Sequence, residues 1–205
     1  MDKVEETGSG TYAVCFALSV SYSCKDIIEA IENTTSLREE VKLTRGDGGL
    51  ALEIERKFLV FPEQLPALQK GQHIVQGYLS EKPSIRFRFI EDSIVITVKE
   101  DREDGSRFEF ETLNTKSTAE ERSTFKQLSL VPPIEKIRYR IPFAGLTWEI
   151  DVYQGENSGL ITVDVEFPEI GYALHFPKWV NTEREITRDS SFSNFNLGRR
   201  PYSTW

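Results

Sequence analysis

A chain of 205 residues that is 39% hydrophobic and 28% charged has the size and composition of a globular protein able to bury a core. A net charge of -8 and a pI near 5.0 exclude a general nucleic-acid binder, which needs a basic face, but leave room for a local Lys/Arg cluster that takes a small phosphorylated molecule. With two cysteines (Cys15, Cys24) and two histidines (His73, His175), neither a disulfide scaffold nor an imidazole zinc site fits, so any metal is expected on oxygen ligands.

Residues 1–10 are polar and read as a mobile end. Tyr12, Val14, Phe16, Leu18 and Val20 alternate with small residues, which predicts a strand. This apolar run is too short to cross a bilayer, and Asp2, Glu5 and Glu6 before it are the wrong charge for a signal peptide. No membrane partner and a cytoplasmic location are therefore expected. Ile27, Ile28, Ile31 and Leu37 follow at helical spacing, and Arg45-Gly46-Asp47-Gly48-Gly49 reads as a linker. Residues 1–50 thus form an expected strand-plus-helix extension, a packing element or the contact of a homodimer, ahead of a second unit at 51–205.

In that unit strand-like segments fall at 53–60, 73–80, 84–90, 94–100, 107–112, 134–141, 146–153 and 160–168, with helical gaps at 118–130 and 171–180. The expected fold is α+β and mainly β: an eight-stranded antiparallel closed β-barrel with helices packed outside.

Side chains along a strand alternate between faces, so each face can be read directly. Glu53, Glu55 and Lys57 share a face, as do Arg86 and Arg88, Glu109 and Glu111, Lys136 and Arg138, Glu149 and Asp151, and Asp164 and Glu166; Lys99 stands opposite Ile96 and Val98. Any one such strand reads as an ordinary solvated face. Repetition changes the reading, because Ser, Thr, Asn and Gln are scarce at these positions while the opposite face is aliphatic and aromatic. With the charged face turned inward, burial costs several kcal/mol per ion even after relaxation, on the order of magnitude found for buried ions generally. A polyanion with bound divalent cations would satisfy the bases and the surplus acids together.

The run Glu53-Ile54-Glu55-Arg56-Lys57-Phe58 carries an E-x-E-x-K signature. It is followed in order by Gln76-Gly77-Tyr78-Leu79, Ile85-Arg86-Phe87-Arg88, Thr97-Val98-Lys99, Glu135-Lys136-Ile137-Arg138-Tyr139, Trp148-Glu149-Ile150-Asp151-Val152-Tyr153 and Val163-Asp164-Val165-Glu166-Phe167. This ordered series over roughly 53–197 resembles the CYTH, or triphosphate tunnel metalloenzyme, family, and is most similar to its bacterial-type inorganic triphosphatases. The resemblance implies an enzyme that hydrolyses a linear triphosphate, tripolyphosphate to pyrophosphate and phosphate, with Mg²⁺ or Mn²⁺. It implies substrate binding by Lys57, Arg86, Arg88, Lys99, Lys136 and Arg138, and metal binding by Glu53, Glu55, Asp151, Asp164 and Glu166, with Glu109, Glu111 and Glu149 as further acids. Catalytic roles fall to Glu53, Glu55, Lys57, Lys99 and Glu166. The family also contains thiamine triphosphatases and class IV-type adenylate cyclases, and a non-catalytic polyphosphate or nucleotide binder would share the basic wall. Asn181-Thr182-Glu183-Arg184 reads as a small insertion, and 198–205 does not read as the helix that often closes one tunnel mouth.

Overall fold

The computed structural model describes residues 54–101, 107–112, 114–167 and 172–205. The expected extension 1–50, and Glu53, lie outside them. The strands are β1 Ile54–Val60, β2 Gln72–Ser80, β3 Ser84–Ile90, β4 Ser93–Asp101, β5 Arg107–Glu111, β6 Thr115–Lys116, β7 Ile134–Phe143, β8 Leu146–Tyr153, β9 Ile161–Phe167 and β10 Val180–Glu185. Among the described residues, α-helices α1 Ala119–Leu128 and α2 Asn194–Arg199 and a few 3-10 turns accompany the strands.

All pairing is antiparallel, in the order β10-β1-β9-β8-β7-β2-β3-β4-β5, with β6 on β4. The described strands form one 10-stranded sheet where eight strands were expected. Among the described residues no ladder joins β5 to the β1–β10 end, so hydrogen bonds do not close it. The sheet is nevertheless curled. A flat sheet would hold β1 and β2, four steps apart, at about 19 Å, well past the roughly 8–10 Å over which charges are screened. Yet Lys57 on β1 acts on Tyr78 of β2, and Glu149 on β8 acts on Arg88 of β3. The charged face is the concave one.

The convex face carries the apolar side chains. Phe58, Trp148, Ile150, Val163 and Val165 are covered by Leu65, Leu68, Leu174, Phe176 and Trp179. The expected helix at 171–180 is instead an extended cover. Tyr172, Leu174 and Phe176 point inward while Ala173 and His175 are exposed, a period of two that no helix can present. The expected insertion at 181–184 lies within β10, an edge strand on β1 whose outward residues are polar. On the β2–β3 side Val75, Phe87 and Phe89 pack under Phe125 of α1. That helix starts at a capping box, with Thr118 and Glu121 each bonded to the other's backbone N–H.

One end of the concave face is apolar. Leu59 and Ile134 are in phase with the charged positions, and with Tyr153 they pack against Leu160, Ile186, Phe192, Leu197 and Tyr202. The C-terminal segment, including α2, therefore forms an end wall. Asn157 secures it by donating to the Leu197 carbonyl and accepting from the Tyr202 N–H.

Candidate functional site

Strand register decides whether the charges meet, because a slip of one residue would turn a strand's set outward. The ladders align them without a slip. Glu55 is opposite Glu166, Lys57 opposite Asp164, and Asp164 opposite Glu149. Asp151 is opposite Arg138, Arg86 opposite Thr97, and Thr97 opposite Glu111. Lys136, Arg88 and Lys99 fall on the same face through their partners Tyr153, Gln76 and Glu109. Every described site residue expected from the sequence is thus on one concave surface; the side chain of Glu109 lies outside the described residues.

The charges divide into two neighbourhoods. On β7–β9 and β1 they are knitted together. Lys136 Nζ is 2.5 Å from Asp151 Oδ2, with both side chains almost wholly buried. Arg138 grips Asp151 with two bonds of 2.7 Å and also donates to Glu149, which pairs in turn with Arg140 at 2.8 Å. Lys57 Nζ donates to Asp164 Oδ2 at 3.4 Å and lies 3.1 Å from Oδ1. A second group lies on β3–β5. Arg88 Nη2 is 2.5 Å from Glu111, which also accepts from Thr97 Oγ1 at 2.9 Å. Among the described residues, the buried Nε atoms of Arg86 and Arg88 meet no hydrogen-bond acceptor, and Asp164 Oδ1 has its Lys57 ion pair but no hydrogen bond.

These surroundings move the ionisation equilibria. Burial opposes the Asp151 charge, but Lys136 and Arg138 outweigh it and hold its carboxyl well below the usual range. Burial, aided by the neighbouring Arg138 and Lys57, pushes Lys136 down to about 8 against the opposing pull of Asp151. Lys57 is held above the ordinary lysine value, because Tyr153, Asp164 and Asp151 outweigh its burial. Burial, then Asp164 and Glu166, pushes Glu55 up. Burial, aided by the neighbouring Arg86, pulls Arg88 down.

The acids expected as metal ligands therefore differ in what they already hold. Asp151, Glu149 and Glu111 are bonded to arginine or lysine. Glu55, Asp164 and Glu166 crowd one another, and a cavity of about 170 Å³ is lined by Thr147, Glu149, Asp164 and Glu166. Among the described residues no three Asp, Glu, His or Cys side chains stand together at metal-binding geometry. Crowded carboxylates that repel one another still fit a hard, oxygen-seeking divalent cation. Sequence reasoning missed Gln76, Tyr78, Thr97, Tyr153 and Arg140 on this surface; their phase with the charged positions was the available signal. Among the described residues no helix is long and apolar enough to cross a membrane.

No family model matches the chain. It is similar to the inorganic triphosphatase of Acetivibrio thermocellus, with 36% identity over 155 residues, 75% of this chain and 97% of that protein. Its fold is similar to the crystal structure of the inorganic triphosphatase NE1496, at a TM-score of 0.54 and 26% identity over 74% of this chain and 97% of that one. A second crystal structure of NE1496 gives a TM-score of 0.53 and 28% identity, covering 71% of this chain and 97% of that one. With that identity over nearly the whole length of a relative, and the in-register charged face to match, the chain belongs to the inorganic triphosphatase family of CYTH-type proteins.

Proposed function

We propose that the chain hydrolyses inorganic tripolyphosphate to pyrophosphate and phosphate, with Mg²⁺ or Mn²⁺ held by its carboxylates. The observation that carries this reading is the sorting of charge on the concave face. The buried Nε–H groups of Arg86 and Arg88 have no acceptor among the described residues, and they face a second set of bases already balanced by acids. An anion with several negative oxygens in a row satisfies the first set and can reach the second.

In this reading Arg86, Arg88 and Lys99 grip one end of the phosphate chain through charge-assisted bonds. Lys57, Lys136 and Arg138, kept in place by Asp164 and Asp151, meet the other. Glu55, Asp164 and Glu166 would hold the cation, and Glu53, which shares the sequence phase of Glu55, is proposed as a further ligand. When bound, it supplies charge neutralisation to the phosphate oxygens. Glu166, at the cavity wall, orients the attacking water for in-line displacement at a terminal phosphorus. No covalent intermediate is needed, since positioning and charge neutralisation supply the rate enhancement.

The test is phosphate release from tripolyphosphate, ATP and thiamine triphosphate, each with Mg²⁺ or Mn²⁺. Metal-dependent orthophosphate release, fastest from tripolyphosphate, is the expected result. Cyclic AMP with pyrophosphate as the main products from ATP, or no turnover of any of the three, would overturn it.

A further inference from the structure

We infer that Arg140 is a positioning residue of this site: it holds the Glu149 carboxylate back from the cation assigned to Glu55, Asp164 and Glu166, and so leaves that cation open to phosphate oxygens. The inference rests on the metal-assisted reading above and adds to it a residue that the sequence pattern did not single out.

Arg140 is the third member of a basic row on β7. Side-chain exposure along that row climbs from 3% at Lys136 through 13% at Arg138 to 52% at Arg140. The row therefore runs from the closed end of the concave face to its open mouth. Lys136 and Arg138 both bond Asp151. Arg140 instead donates from Nε to Glu149 Oε1 at 2.8 Å and from Nη1 to Gln72 Oε1 at 3.2 Å. Gln72 is on β2, so the guanidinium is braced between the strands on either side of its own.

The other oxygen of Glu149, Oε2, accepts from Arg138 Nη1. Both carboxylate oxygens are thus drawn toward β7. Yet Glu149 stands directly opposite Asp164 in the β8–β9 ladder and shares a cavity wall with Asp164 and Glu166. Side chains directly opposite on one face have Cβ atoms about 4.5–5.5 Å apart, which puts a released Glu149 within reach of the same ion. Arg138 alone does not prevent this, because a carboxylate with one oxygen freed can bridge an arginine and a cation.

Coordination chemistry gives the restraint its purpose. Mg²⁺ at phosphate-transfer sites binds through few carboxylates and keeps positions for water and substrate oxygens. Glu149 as an added ligand would tighten the metal while filling a position and cancelling charge that the phosphate chain needs.

The experiment titrates Mn²⁺ into the full-length protein without substrate, by calorimetry, for wild type, Arg140→Met, Glu149→Gln and the double variant. Arg140→Met should bind Mn²⁺ about threefold to thirtyfold more tightly, the usual range of coupling between contacting groups, and the gain should vanish in the Glu149→Gln background. An unchanged constant in Arg140→Met overturns the inference. So does a gain that persists without Glu149, since removing a positive charge near the ion then suffices. At saturating Mn²⁺ the KM of Arg140→Met for tripolyphosphate should rise, and a KM that stays or falls overturns the claim that the restraint serves the phosphate. If Arg140→Met does not fold, Gln72→Leu, which removes the brace and keeps the charge, should tighten Mn²⁺ in the same direction, and no change there overturns the assignment. Absence of Mn²⁺ binding by wild type and every variant removes the metal reading itself and this inference with it. Wild-type binding that Arg140→Met leaves unaltered removes this inference alone.

Discussion

Asp151 spends both of its oxygens on one guanidinium: Arg138 Nε donates to Oδ1 and Nη2 to Oδ2, each at 2.7 Å. Lys136 Nζ takes the remaining space at Oδ2. A buried carboxylate that balances two buried cations cannot be neutralised without leaving them uncompensated. Asp151→Asn should therefore lower stability by about 3–5 kcal/mol in urea unfolding. Saturating tripolyphosphate should recover part of the loss, because its oxygens replace the missing charge. Equal stability of variant and wild type would contradict the arrangement.

Arg88 uses one nitrogen on Glu111, and its buried Nε, beside Arg86, has no partner among the described residues. Lysine offers charge but no planar fork. Arg86→Lys and Arg88→Lys should each raise the KM for tripolyphosphate by about tenfold or more, roughly the worth of one lost charge-assisted bond. Steady-state kinetics with either variant matching wild type would remove that residue from the phosphate wall.

Glu55 is opposite Glu166 and feels Asp164, so without a cation its charge is repelled. Glu55→Gln should leave the metal-free protein as stable as wild type, or more so, while lowering Mg²⁺-dependent turnover at least about a hundredfold. Chelation should abolish wild-type turnover, and either Mg²⁺ or Mn²⁺ should restore it. Retained activity in Glu55→Gln would disprove its place among the ligands.

Gly77 lies beneath the Phe87 ring on the convex face, where an added Cβ would meet Phe87 Cζ at 2.3 Å. Phe87 is fully buried and packs against Phe89 and Phe125, so it has nowhere to move. Gly77→Ala should cost about 1–3 kcal/mol by overpacking, measured by thermal or denaturant unfolding.

Arg56 and Glu185 join β1 to the edge strand β10, with both side chains about a third exposed. The hydrogen bond from Arg56 lowers the Glu185 carboxyl below its ordinary value. A lowered carboxylate contributes stability that is complete above its unfolded value of about 4.3 and disappears as pH falls through the folded value. The stability gap between wild type and Glu185→Gln should be about 0.2–1 kcal/mol near pH 7 and should close below about pH 4. A gap that widens in acid would refute the pairing.

Much of this was legible in the chain. Lys57, Arg86, Arg88, Lys136 and Arg138 could be put on one face because side-chain direction in a strand follows from parity alone, with no knowledge of neighbours. The strands lost to reading were those without an apolar rhythm. Val180–Glu185 sits at the sheet edge with its outward residues in water, so nothing selects large apolar groups there. The stretch before it has the period of two in Tyr172, Leu174 and Phe176, which separates it from the helix expected at 171–180.

The sequence by itself determined the elements, their faces and the stock of charges, because those depend on local geometry and composition. Only the tertiary structure decided which acid neutralises which base. Asp151 and Asp164 carry the same side chain, but strand pairing sets the first between Lys136 and Arg138 and the second beside Lys57 at the wall of a cavity. Register and sheet curvature fix those distances, and neither is encoded within a single strand.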